Sequence, residues 1–247
     1  MRVYPTADIY VGRVFERSRA VEPTSSEEST AVEHTSYLMA QAIHHAIDEW
    51  KTDIIVIPSG LENYCEDLNR AVDAASNAGI LIFAAASNYG NVMGVTFPAR
   101  KYPYWKLFCM FATTPSIRAN CGFNPTHLGA KYNFAILGED VMIPFTQNVR
   151  SGTSYSIMIG AGLAGLILEF ARHEAAKGGE DRLEKLPTVE GMSAVFATMT
   201  GDEKDNGYDC IVPWNILSQK LRSDIADKVA ARRDVLQKII AALERCY

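Results

Sequence analysis

Unbroken apolar runs and amphipathic stretches take turns along the first two thirds of the chain. Ile9 to Phe15 reads as a strand. Glu22 to Glu33 holds Pro23, several Ser and Thr, four acids and no bases, and reads as a solvated loop. Between Thr35 and Lys51, Met39, Ile43, Ile47 and Trp50 recur at steps of 4, 4 and 3, which predicts one buried helix face. Ile54 to Ile57 is β-branched, too short for a helix and lacks alternation, which suits a strand buried on both faces.

A second helix is expected from Asn63, with Asn63 and Glu66 as reciprocal caps, Leu68, Val72 and Ala75 facing inward, and Gly79 at its end. Ile80 to Ala86 is again fully apolar. Further strands are expected at Leu107 to Thr113, Asn133 to Leu137 and Val141 to Ile143. Strand–helix alternation at this density predicts right-handed crossovers and a parallel sheet sandwiched by helices. Tyr155 to Arg172 reads as a long buried helix, apolar nearly all round at first.

After Arg172 the pattern changes. Residues 173–190, polar with Gly178, Gly179 and Pro187, read as a linker. A short helix follows (Glu190 to Met199), then a polar turn at 202–207. The tail from Trp214 to Tyr247 carries Leu221, Ile225, Val229, Leu236, Ile240 and Leu243 at mostly four-residue steps, a stripe interrupted by Arg232 and Arg233. The expected division is therefore 1–172, a linker at 173–190, and a helical extension over 191–247.

Composition narrows the function. With 247 residues, 48% of them hydrophobic, the chain can fill one sizeable core. A net charge of −5 argues against a nucleic-acid partner, which needs a basic face for phosphates. The longest apolar run, Ile157 to Leu168, has 12 residues, short of the roughly 20 a membrane span needs. The N-terminus lacks the apolar stretch of a secretory signal. Five scattered cysteines without a Cys-x-x-Cys pair read as reduced thiols and lean toward an intracellular protein. Asp202 to Asp209 is rich in acids, but its spacing fails the calcium-loop pattern, so neither a metal nor another cofactor is expected.

Two segments carry candidate chemistry. Phe83 to Ala86 reads as a strand running into Ser87-Asn88-Tyr89-Gly90, and in an open α/β sheet ligands gather where Asn88 would sit. Gly152-Thr153-Ser154 immediately precedes the buried helix, where backbone N–H groups have no helical partner and the helix dipole is positive. Acyl transfer wants a hydroxyl nucleophile, a backbone donor and a side-chain amide at the developing oxyanion. A helix cap at Ser154 and a turn at Asn88 are the ordinary alternatives.

From about Ala7 to Arg172 the chain resembles the latter part of a subtilisin-like serine endopeptidase (subtilase) domain. The resemblance rests on the order Ala7-Asp8-Ile9-Tyr10-Val11-Gly12-Arg13-Val14, Asp53-Ile54-Ile55-Val56-Ile57, the Asn88 strand end, Pro98-Ala99, and Gly152-Thr153-Ser154 leading to Ala161-Gly162. It implies a three-layer α/β fold with Ser154 as nucleophile and Asn88 as oxyanion donor. It also implies that Pro58-Ser59-Gly60 and Ser87 line the substrate cleft. An oxyanion Asn in subtilisin itself is worth about 2.7–4 kcal/mol.

The departures matter equally. The family's triad runs Asp, His, Ser, and neither Asp-x-Gly nor His-Gly-Thr-His occurs here; the chain begins past them. Tyr155-Ser156-Ile157-Met158 replaces the usual Met-Ala-Ser/Thr-Pro, Pro58 stands where a Ser is expected, and Ser87 replaces a Gly. His173 lies 19 residues beyond Ser154, roughly 28 Å along a helix. His44 and His45 fall on the outer crossover helix, His34 falls after the first strand, and His127 stays open as a loop residue.

The expectation is a peptidase homologue with little or no activity as it stands, its early strands missing and apolar surface uncovered near Ile9 to Phe15. Its partner is a polypeptide, as substrate or as bound protein. A non-catalytic interaction module using the sheet edge, cleft or tail helix is the alternative.

Overall fold

A computed structural model describes residues 6–15, 26–144, 146–178, 183–217 and 225–246. Five parallel strands form the central sheet in the order β1 (Ile54–Ile57), β2 (Leu81–Ala85), β3 (Phe108–Thr113), β4 (Phe134–Leu137) and β7 (Asp209–Cys210). A short antiparallel hairpin, β5 (Val141–Met142) with β6 (Val149–Arg150), follows β4.

Successive side chains on each strand point to opposite faces, so the apolar runs feed two cores. Ile82, Ala84, Phe111 and Ala135 meet α1 (Ser26–Asp48) and α2 (Glu66–Asn77) on one face. Leu81, Phe83, Met110 and Ile136 meet α3 (Thr153–Gly178), α4 (Val189–Ala197) and α5 (Ile225–Glu244) on the other. This is the expected parallel sheet between helix layers. On α2, Leu68, Val72 and Ala75 are buried as their spacing predicts, and Gly79, at φ 74°, takes the left-handed turn after the helix.

Several expectations give way. Ile9 to Phe15 forms no strand and pairs with none among the described residues; Tyr10 stacks on Trp50 at 5.1 Å, and Ile9 and Val11 are 81% and 82% exposed. β1 is consequently the edge of the sheet, and of its residues Val56 is exposed. The segment read as a loop to Glu33 is helical from Ser26; residues 22–25 lie outside the described residues. The helix expected from Asn63 begins at Glu66 after Cys65, because Glu66 is engaged by Tyr64 Oη and Arg70 Nε, not by a cap.

The region after Arg172 is built onto the same core. Residues 173–178 complete α3, Leu183, Leu186 and Val189 are buried with it, and β7 extends the sheet; residues 179–182 lie outside the described ones. In the tail, residues 218–224, Leu221 included, also lie outside them. The buried face of α5 is Ala231, Val235, Ile239, Ile240, Ala242 and Leu243, so Ile240 and Leu243 are buried as expected, while Val229 is exposed. Finally, Thr153–Ala176 is long and apolar enough to cross a membrane by length and composition, yet Ile157, Leu163, Ala164 and Leu168 are packed against the sheet.

Candidate active site

The site lies at the carboxyl ends of β1 and β2, where α3 begins. Gly152, at φ 151°, precedes the helix, and the amide of Asn88 lies against it: a Cβ there would meet Asn88 Nδ2 at 3.1 Å. Glycine satisfies both the backbone angle and the close approach. Its N–H is fixed by the Gly138 carbonyl at 2.8 Å, tying the turn to the end of β4.

Asn88 leaves β2 two residues after Ala86 and is exposed. Its Oδ1 accepts the Thr153 N–H at 2.8 Å and lies 3.1 Å from Thr153 Oγ1, which is also 3.2 Å from the Ser87 carbonyl. Asn88 thus caps α3 across 65 residues of sequence. The acceptor end of the amide is committed to the helix start, which fixes where the donor end, Nδ2, is held.

Ser154, half-buried, is the next residue. Its hydroxyl donates to the Pro58 carbonyl at 3.0 Å. Pro58 is exposed as β1 ends, and the loop it begins is braced against the segment after β2. Leu61 and Phe97 exchange backbone hydrogen bonds of 2.7 and 2.8 Å. A Cβ on Gly60 would lie 2.0 Å from Thr96 Oγ1, itself 3.0 Å from the Ala86 carbonyl it donates to. Ser87 is buried, and its Oγ accepts the Tyr89 N–H at 3.2 Å. Ser59 sits half-buried in the same loop. Pro58, Ser87, Asn88 and Ser154 therefore converge on one end of the sheet.

What Ser154 reaches decides its chemistry. A carbonyl oxygen accepts a hydrogen bond but does not take the proton, so Pro58 orients the hydroxyl without activating it. His173 lies far along α3, and His34, His44 and His45 are exposed on α1, across the sheet from it. His127 Nδ1 accepts the Gly129 N–H at 3.1 Å, and its ring meets Tyr208 edge-on at 5.1 Å. Among the described residues no group of three or more His, Cys, Asp or Glu is placed to hold a metal ion. Asp205 and Asp209, from the acidic turn, accept the N–H groups of Ala119 and Asn133, each at 2.7 Å.

Sequence reasoning singled out Ser154 and Asn88 but missed the clasp between Asn88 and Thr153. The Gly152-Thr153-Ser154 string gave Thr153 no role of its own. The Pro58 carbonyl carried no signal, because any residue supplies one.

No protein-family model and no curated protein sequence matches the chain. Solved structures do. The prenylagaramide maturation protease PagA superposes with a TM-score of 0.56 at 18% identity over 83% of this chain and 67% of that one. The patellamide maturation protease PatA gives 0.55 at 19% identity over 85% and 69%. The PatG macrocyclase in complex with peptide gives 0.54 at 18% identity over 81% and 56%. The chain spans about two thirds of PagA and PatA and just over half of PatG. At these identities the likeness is one of fold, and the fold is that of subtilisin-like proteases.

Proposed function

We propose that this chain is a subtilisin-like serine peptidase homologue in which Ser154 holds the nucleophile position and Asn88 the oxyanion-donor position. Pro58, Ser59, Gly60 and Ser87 border the cleft in this reading, and the ligand is a polypeptide. The observation that carries it is the clasp of the Asn88 amide onto Thr153, one residue before Ser154. It supports the reading by tying position 88 to the residue next to position 154, across more than 60 residues of sequence. The first-turn N–H groups of α3, that of Ser154 among them, lack helical partners by position and add positive potential there.

In this chain as it stands the site is proposed to be silent. Its hydroxyl is directed at a carbonyl, and an unassisted serine is a weak nucleophile. Hydrolysis of a quenched fluorescent peptide library tests this. Turnover indistinguishable from that of Ser154→Ala is expected, and turnover abolished by Ser154→Ala would overturn the silent reading.

A second reading, a non-catalytic module that binds another polypeptide, is favoured by one observation: among the described residues no strand pairs with the outer edge of β1.

A further inference from the structure

The loop that leads into β4 presents an ammonium group to two aromatic faces. Lys131 Nζ lies 5.2 Å from the centre of the Tyr132 ring and 5.9 Å from that of Trp105. The two rings stand at 88° with centroids 6.2 Å apart, so they form the walls of a corner. Phe134 stacks on Tyr132 at 5.1 Å and 15°, which leaves the other face of Tyr132 to the cation. Lys131 is exposed, and among the described residues no carboxylate pairs with it.

The walls of this corner are held from behind. Phe134 is fixed in the core by Phe108 and Phe196. Trp105 ends the short helical turn Ala99–Tyr104 at φ 58° and ψ 32°, a left-handed conformation rare for a bulky residue. Residues kept in such conformations cluster at ligand sites. The Lys131 carbonyl accepts Lys204 Nζ at 3.1 Å, which anchors the backbone of the loop while its side chain stays in solvent reach. The cavity between the rings extends to Val189 and Ser193 of α4, and among the described residues lining it Lys131 carries the only charge. It opens at the amino ends of β3 and β4, the end of the sheet opposite Ser154.

We propose that this corner binds a quaternary ammonium group, a trimethylammonium head, in exchange for the ammonium of Lys131. Aromatic faces carry negative charge and attract cations, more strongly once the cation is desolvated. A primary ammonium is strongly hydrated, and Lys131 regains its water by swinging out on its flexible stem. A quaternary ammonium has no N–H to solvate and loses little on entering. An anion would meet two negative ring faces, so the rings select against it. The Lys131 ammonium thus marks the position and the charge of the group that fits. This site lies apart from the Ser154 cleft and is independent of whether Ser154 reacts.

The test is titration of the full chain with choline, read at the Trp105 indole N–H by nuclear magnetic resonance, with Trp50 and Trp214 as internal controls. A saturable shift at Trp105 alone is expected. The neutral isostere of choline, with a tert-butyl group in place of trimethylammonium, should bind about tenfold more weakly. Lys131→Ala removes the competing ammonium and should tighten choline binding about threefold or more. Tyr132→Leu should weaken it about tenfold; because Tyr132 also packs on Phe134, the isostere comparison in the unaltered chain decides independently of folding. A peptide bearing trimethyl-lysine offers the same head group from a second source. Tighter binding than choline supports a polypeptide ligand, and equal binding supports a free small molecule. Equal affinity for choline and its neutral isostere, weaker choline binding in Lys131→Ala, or no shift at Trp105 in either chain overturns the proposal.

Discussion

The side-chain carbonyl of Asn88 accepts the backbone N–H of Thr153 at 2.8 Å, so the residue that ends one strand caps the helix that carries Ser154. In the proposed reading one amide has two tasks: its oxygen caps α3, and its nitrogen serves as the oxyanion donor beside Ser154. The two tasks are separable by substitution.

Asn88→Ala removes the cap and should cost about 1 kcal/mol of stability, within the 0.5–2 kcal/mol range of lost caps. Asn88→Asp keeps an oxygen acceptor, places negative charge at the helix N-terminus and removes the donor. Denaturant unfolding should show Asn88→Ala destabilised and Asn88→Asp near the parent. Equal loss in both would mean that the nitrogen, not the oxygen, carries the structural role.

Gly152→Ala should be worse than either. The new Cβ meets Asn88 Nδ2 at 3.1 Å on a backbone at φ 151°. A cost of about 1–3 kcal/mol is expected from the backbone alone, read as a lowered Tm.

Ser156 is fully buried, and its Oγ has no hydrogen-bond partner. Ser156→Ala should therefore be neutral or stabilise by about 1 kcal/mol, since it removes an unmet polar group. Gly138→Ala should destabilise, because its Cβ would lie 2.1 Å from Ser156 Oγ and 2.7 Å from Ala112 Cβ. A destabilised Ser156→Ala in thermal unfolding would show that the hydroxyl is satisfied in solution.

Burial pushes the Cys121 thiol up to about 12 and the Cys210 thiol up to about 11, from 9.0. The Glu139 carboxylate beside Cys121 and the Asp205 carboxylate near Cys210 act in the same direction. The neutral thiol is the form the fold favours, so its stabilising contribution is complete below pH 9 and is lost as pH rises through 11 and 12. Denaturant midpoints should be level from pH 7 to 8.5 and fall above that. Cys121→Ala should flatten the fall, and an unchanged slope would place its cause elsewhere.

Much of this fold is legible in the residues. The unbroken runs at Ile54, Ile80, Leu107 and Asn133 mark strands, and all four appear, the one at Ile54 as the partly exposed edge. Ile9 to Phe15 misleads because local pattern shows what a strand can bury, whereas pairing needs a neighbour elsewhere in the chain. In the tail stripe Ile240 and Leu243 are buried and Leu236 packs against the core, whereas Val229 is exposed. Its apolar residues are dense enough to fit two faces, and Val235 and Ile239 join the buried one. At the site, side-chain chemistry exposes Asn88 and Ser154, but a backbone acceptor such as the Pro58 carbonyl is invisible in a sequence.

The most direct test is reaction of the folded chain with a fluorophosphonate, with and without added imidazole as a diffusible base, located by intact mass and peptide mapping. The account predicts negligible adduct without imidazole. With it, an adduct should appear on Ser154 that is absent in Ser154→Ala and slowed about 100-fold or more in Asn88→Asp. An adduct on Ser154 forming as fast in Asn88→Asp as in the parent would contradict the shared site.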